Sequence, residues 1–215
     1  MSSISVAGDS SGSITIAAPA VAGSGTLTLP LGTDTLVGKA TTDTLTNKSI
    51  AATQLTGTIA VGRLPAGAVL QVVNTQSGAV ATGTASIPFD NTIPQITEGT
   101  QFLSLAITPI SATSKLLFQI TMQMSTLTTA WCSTALFQDS TTNAIAAGGA
   151  YMLTIQGGVL TPLNYFMTSG TTSTTTFTVR FGGDAGQTIT VNGTNGARIF
   201  GGVASSSITI TEIAA

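Results

Sequence analysis

Lys115-Leu116-Leu117-Phe118-Gln119-Ile120-Thr121-Met122-Gln123-Met124 places Leu116, Phe118, Ile120, Met122 and Met124 on one side of an extended chain, and Gln119, Thr121 and Gln123 on the other. Side chains of a strand alternate between faces, so this period of two predicts a strand with one buried and one wetter face. The alternation recurs in Leu103-Leu105-Ile107, in Phe177-Val179-Phe181 against Thr176-Thr178-Arg180, in Ile189-Val191 and in Ile208-Ile210. Turn residues separate these runs. Asp139 to Asn143 predicts a hairpin between Ala135-Leu136-Phe137 and Ala144-Ile145-Ala146, and Gly182-Gly183-Asp184-Ala185-Gly186 and Asn192-Gly193-Thr194-Asn195-Gly196 mark two more turns. About eight short strands at this spacing predict an antiparallel β-sandwich of jelly-roll type.

Composition agrees with an all-β fold. Only 7% of the 215 residues are charged, there is no histidine, and 24 Gly stand against 7 Pro. Thr, Val and Ile suit half-buried pleated surfaces, Gly supplies turns, and the charge pairs that support exposed helices are scarce. A net charge of −2 offers no basic face, which argues against nucleic acid as a partner. Mean hydropathy is positive, yet the most apolar stretch, Ala144 to Leu153, is broken by Gly148-Gly149 and falls short of the ~18 residues a spanning helix needs. No membrane insertion is expected, and the chain reads as soluble. Near the N-terminus Asp9 precedes any Lys or Arg, so a secretory leader is not expected and synthesis in a cytoplasm is.

The chain divides near Pro65-Ala66-Gly67. Residues 1–66 carry thin alternation, Ile14 and Ile16 about Thr15, then Leu27 and Leu29 among Thr26 and Thr28 before Pro30. Thr33-Asp34-Thr35-Leu36-Val37-Gly38-Lys39 is nearly repeated nine residues later by Thr42-Asp43-Thr44-Leu45-Thr46-Asn47-Lys48. A repeat with a single Leu and one acid and one base per copy cannot bury a core alone, so it is expected to stack on its own copies or on sister chains. Asn47 to Thr53 is compatible with a short helix or a loop. Residues 67–215 have conventional domain size, enough to bury roughly 70% of the unfolded surface.

Ala17-Ala18-Pro19-Ala20-Val21-Ala22-Gly23, Thr26 to Pro30, the two Thr-Asp-Thr-Leu copies, and Gln54-Leu55-Thr56-Gly57-Thr58-Ile59 before Arg63-Leu64-Pro65 together resemble the N-terminal and shaft regions of tailed-bacteriophage fibre proteins. The second part is similar to a C-terminal domain found on phage virion proteins, through Thr97 to Ser104, Ala135-Leu136-Phe137-Gln138-Asp139-Ser140, Ile199-Phe200-Gly201-Gly202-Val203 and Ser207 to Glu212. The resemblance implies a homotrimer on the virion surface: residues 1–66 form an intertwined fibrous base attached to a capsid or tail protein, and residues 67–215 form the knob. The short shaft fits a small knob, a head fibre or capsid decoration, better than a long tail fibre. It implies a structural protein that is not an enzyme, or alternatively a tail-fibre adhesin for host surface glycans.

Chemistry is sparse. Without histidine there is no Ser-His-Asp or Cys-His pair and no usual zinc set, and Gly8-Asp9-Ser10-Ser11-Gly12 has no base beside its serine. Glycoside hydrolysis needs two carboxyls roughly 5 to 10 Å apart, and residues 67–215 offer Asp90, Glu98, Asp139, Asp184 and Glu212. Asp139 and Asp184 sit in turn sequences, where a side chain capping its own loop is the ordinary reading. Gly182 to Gly186 carries one acid, too few oxygens for calcium. Asn192-Gly193-Thr194 is a glycosylation sequon read as a turn, and Cys132 beside Trp131 reads as a small buried hydrophobe. No catalytic, cofactor or metal residue is assigned. For a glycan, Trp131, Tyr151, Tyr165 and Phe166 offer rings, with Asn164, Gln156 or Thr161 as hydrogen-bonding groups, although a sandwich core claims most aromatic side chains.

Overall fold

The computed structural model describes residues 3–7, 11–17, 24, 49–51, 53, 57, 59–153 and 157–215. Their strands, in chain order, are β1 (Ser3–Ala7), β2 (Ser13–Ala17), β3 (Val69–Ser77), β4 (Ala81–Gly83), β5 (Thr100–Ile107), β6 (Lys115–Thr126), β7 (Ala130–Gln138), β8 (Ala146–Met152), β9 (Gly158–Thr168), β10 (Thr175–Gly183), β11 (Ile189–Val191), β12 (Gly193–Thr194), β13 (Ala197–Arg198) and β14 (Ser206–Ile213). Backbone contacts divide the chain into Met1–Thr56 and Gly57–Ala215.

In the first unit β1 and β2 form an antiparallel hairpin, registered from Ser3 opposite Ala17 to Ala7 opposite Ser13. Ile4 and Val6, two apart and so on one face, are exposed. An isolated two-stranded hairpin is marginal in water, so this apolar face is the element's main liability. The Thr-Asp-Thr-Leu repeat, the Leu27-Leu29 alternation, Asp9 with Gly8 and Ser10, and Asn47, Lys48 and Ala52 of the run from Asn47 to Thr53 lie outside the described residues.

The second unit begins with a single 3-10 turn at Val61–Arg63. Gly67 N–H then donates to Ala214 O, and Ala214 N–H to Ala68 O, at 2.9 Å each, so the chain enters the sandwich beside the end of β14. Eight long strands follow, and their pairing is that of one long hairpin folded over. The first strand (β3) pairs with the last (β14), the second (β5) with the seventh (β10), the third (β6) with the sixth (β9), and the fourth (β7) with the fifth (β8). Two further pairings, β14 with β6 and β10 with β7, roll that hairpin into two sheets, β3-β14-β6-β9 and β5-β10-β7-β8. This is an antiparallel jelly-roll sandwich, as the alternation predicts. Short β4 and β11 extend the first sheet beyond β14, where β11 pairs with residues 124–126 of β6.

Alternation decides what enters the interior. Leu116, Phe118, Ile120, Met122 and Met124 of β6 are buried together with Ile208 and Ile210 of β14. They face Leu103 and Ile107 of β5, Cys132 and Leu136 of β7, and Phe177, Val179 and Phe181 of β10. Phe118 and Phe177 meet edge to face with ring centroids 4.6 Å apart, one of the arrangements aromatic pairs favour. Both ends of the sandwich are fixed by register. Val69, Ile213, Lys115 and Thr168 lie at the near end, where the chain enters; Ser77, Ser206, Ser125 and Gly158 lie at the far end.

A second, smaller core sits outside the sandwich. Residues 84–99 cross the outer face of the β5-β10-β7-β8 sheet, and Ile87 is buried there against Ala135 and Phe137, with Ile96 and Ala144 alongside. Gly182 makes the crossing possible, because a Cβ at that position would stand 2.7 Å from Ile87 N and 2.8 Å from Ala85 O. Backbone bonds from Ile87 to Gly183, Gly99 to Ser86, Ile96 to Thr142 and Ala144 to Pro94 tie the segment down. Arg180 clamps its far part by donating from Nε to Glu98 O (2.7 Å) and from Nη2 to Gly99 O (2.8 Å). At the far end Asn195 and Gly196 both adopt positive φ, 51° and 73°, which is what the two-residue connection between β12 and β13 requires.

Candidate functional site

Trp131 stands at the start of β7, at the far end of the sandwich. Its neighbours Ala130 and Cys132 point inward and are buried, so alternation turns the indole outward. Register places Tyr151 of β8 directly opposite, and the two rings lie 5.4 Å apart at 58°. Phe89, from the crossing segment, stacks on the indole with centroids 3.5 Å apart and planes 9° from parallel. Phe89 is 56% exposed and Tyr151 46%. The Trp131 N–H donates to Asp184 Oδ2 at 3.2 Å, which holds the start of β7 to the turn after β10.

Beside these rings lies a cavity of about 170 Å³, walled by Ile87, Pro88, Phe89, Asp90, Thr92 and Pro94 and floored by Ser133, Ala147, Gly148 and Gly149. Asp90 Oδ1 accepts hydrogen bonds from the Thr92 hydroxyl and, at 2.8 Å, from the Thr92 N–H. The hydroxyl first and the amide second hold the Asp90 carboxyl below its usual range, so it is ionised near neutrality. The wall is anchored by the second core, so the groove is built before any ligand arrives.

The rings and polar groups picked out in the sequence do not assemble as a set. Trp131 and Tyr151 come together. Tyr165 is half-buried, tilted against Phe118 at 6.1 Å, and serves the core. Thr161 is buried, sharing a hydrogen bond with Thr134 Oγ1 at 2.8 Å, so it is unavailable to a surface ligand. Phe166 and Asn164 are exposed, but on the outer face of β9 in the other sheet. Gln156 lies outside the described residues. Phe89 escaped sequence reading because it follows no strand period. Its one signal is an aromatic side chain within the turn-forming run Pro88-Phe89-Asp90-Asn91, where no core partner is implied.

A second apolar surface flanks the far end. Phe200 has a φ of 48°, a region costly for a bulky side chain, and is 74% exposed. With Leu160, Ile199, Gln123, Gly158, Val159 and Thr194 it borders an open groove of about 600 Å³.

The acids are occupied individually. Asp90 caps Thr92, Glu98 accepts the Gln95 N–H at 2.8 Å, Asp139 accepts the Thr176 N–H at 2.8 Å, and Asp184 accepts from Trp131. Glu212 is buried and accepts from Ser114 Oγ (2.6 Å), Gln71 Nε2, Ile110 N–H and Ser111 N–H. Burial pushes this carboxyl up, but those donors together outweigh it and hold it below its ordinary value. None of the five shares a hydrogen-bond partner with another, and among the described residues no group of three metal-ligating side chains comes together. Burial, with Asp184 nearby, pushes the Cys132 thiol up to about 11, which leaves it unreactive. Asn192 of the sequon is buried, donating to Ser77 O and Ala79 O and accepting from Ser206 Oγ, so it links β3, β11 and β14 at the far end.

No family model matches the sequence, and no curated protein matches it. Solved structures similar to the chain include the EclA C-terminal domain, described as a sugar-binding protein, at 13% identity and a TM-score of 0.31, covering 53% of this chain and 74% of that one. The enzymatically active domain of bacteriophage CBA120 tailspike protein 4 is similar at 18% identity and a TM-score of 0.26, over 56% of this chain and 18% of that one. A chain of infectious bursal disease virus, Gt strain, gives 14% identity and a TM-score of 0.35, over 67% and 38%. The structures similar to this chain thus include a phage tailspike domain and a viral chain.

Proposed function

We propose that this chain is a non-enzymatic structural protein of a tailed-phage virion, a short surface fibre or knob displayed as a homotrimer. Residues 1–66 form the attachment and trimerisation segment, held to a capsid or tail protein, and residues 67–215 form the displayed knob. One observation carries the reading. The first and last strands of the sandwich pair along their length, so the chain enters at one end, and the opposite end is left to carry the exposed aromatic surface. The fibre-like motif order in residues 17–65, and a β1-β2 hairpin with an exposed apolar face, support an N-terminal segment that completes itself on a partner. The low content of charged side chains suits a surface that tolerates changing salt.

Immunogold microscopy of purified particles with an antibody against residues 67–215 tests this. Label scattered over the capsid is expected for a head fibre or decoration protein, and label at the tail places it there. Particles without label would reject the virion reading.

A second reading, an adhesin for host surface glycans, is favoured by the stacked, half-exposed Phe89-Trp131-Tyr151 rings beside a preformed groove. It expects the purified chain to bind host cells and to block infection.

A further inference from the structure

The Ser133 hydroxyl is the unusual group in the far-end cavity. Ser133 is 5% exposed, it lines the cavity, and its Oγ makes no hydrogen bond among the described residues. It is not sealed off, since no buried side-chain polar atom among the described residues lacks a partner; the hydroxyl therefore opens onto the cavity. Its neighbour across the strand pair is Gly149, where a Cβ would stand 3.4 Å from Ser133 Oγ and fill the floor. Glycine at that position keeps the floor open. Phe89, stacked on Trp131 and largely exposed, lines the same cavity, and so does Asp90, whose Oδ2 has no partner among the described residues.

An apolar plate, a hydroxyl and an ionised acceptor lining one cavity suit a ligand with one C–H-rich face and several hydroxyls around its edge. We infer that this cavity is a subsite for one uncharged pyranose ring, seated with its apolar face on Phe89 and its hydroxyls reaching Ser133 Oγ and Asp90 Oδ2. Stacking on the ring supplies the apolar contact, and the two oxygens set orientation. The Asp90 carboxylate also selects by charge. A sugar acid would bring a second carboxylate against it, whereas a neutral hexose donates a hydroxyl to it. The inference rests on the adhesin reading and names the ligand class and the site for it.

Trp131 is the sole tryptophan of the chain, so its fluorescence reports this site alone. The full chain would be titrated with methyl glucopyranoside, methyl galactopyranoside and methyl glucuronopyranoside, and its binding to host cells measured in parallel. A saturable change with at least one neutral glycoside is expected, in the millimolar range typical of a single ring. Phe89→Ala should weaken it about tenfold, as loss of one aromatic stack predicts, and Ser133→Ala should weaken it less. The glucuronide should bind at least tenfold more weakly than its neutral counterpart, and Asp90→Asn should remove that difference. Unchanged far-UV circular dichroism and melting temperature would confirm that the variants are folded.

No saturable response to either neutral glycoside, or equal affinity in folded Phe89→Ala, overturns the subsite. Cell binding that persists undiminished in a Phe89→Ala variant that has lost glycoside binding would keep the subsite but reject it as the adhesin's contact with the cell. Saturable glycoside binding without any cell binding would keep the subsite and reject the adhesin.

Discussion

At the scale of single residues, the most consequential side chain is Glu212. Its carboxylate fixes the 108–114 loop at the near end through the Ile110 and Ser111 amides and the Ser114 hydroxyl, and it reaches β3 through Gln71. Replacing it with alanine would strand those donors in a buried place, which costs roughly 3 kcal/mol. Because the folded carboxyl is held below its ordinary value of 4.5, its contribution is fully present above that value and is lost as pH falls through the lower folded value. Denaturant unfolding of wild type and Glu212→Ala should therefore differ clearly at pH 7 and converge in acid. A gap that stays constant down to the acid limit would contradict the assignment. Glu212 also marks a limit of sequence reading. It sits in Ile208-Thr209-Ile210-Thr211-Glu212 on the face that alternation assigns to the core, and only the loop that returns from β5 to meet it explains why an acid is tolerated there.

At the scale of elements, the strands were legible and the segment between β4 and β5 was not. β6, β10 and β14 announce themselves because apolar side chains recur at every second position, Leu116 to Met124, Phe177 to Phe181 and Ile208 to Ile210, and their observed burial alternates there as read. The β7-β8 hairpin followed from the turn residues Asp139 to Asn143, and Asp139 takes a φ of 49°; its carboxylate, however, accepts from Thr176 N–H of β10 rather than capping its own loop, a contact no local pattern encodes. Residues 84–99 have no period. Their order comes from Ile87 and Ile96 meeting Phe137 and Ala135 on the back of a sheet, a tertiary event that no local pattern encodes. For the same reason two members of the aromatic surface, Trp131 and Tyr151, could be named in advance, but the third could not. Since Ile87 anchors this segment, Ile87→Ala should release it at a cost of about 3 kcal/mol, near a hundredfold in its opening equilibrium. Hydrogen exchange would show this as lost protection at the Ile87 and Gly99 amides, with β6 and β14 little changed. Equal loss of protection in β6 and β14 would instead make the segment part of the main cooperative unit.

At the scale of the whole molecule, the prediction concerns the division of labour between the two units. If residues 1–50 serve attachment, their deletion leaves a sandwich that melts as before but no longer joins particles. Incorporation of the shortened chain at normal copy number would remove the anchor assignment. The pairing of β3 with β14 has a further consequence, for biogenesis. The rolled hairpin closes its shortest loop at β7-β8 and its longest at β3-β14, so loop-closure entropy favours zipping from the innermost pair outward. β14 lies between β3 and β6, so β3 gains its place in the sheet only after β14 has been made. A nascent chain that stops short of β14 would leave β3 without its partner, so the sandwich cannot close before Ser206–Ile213 is made.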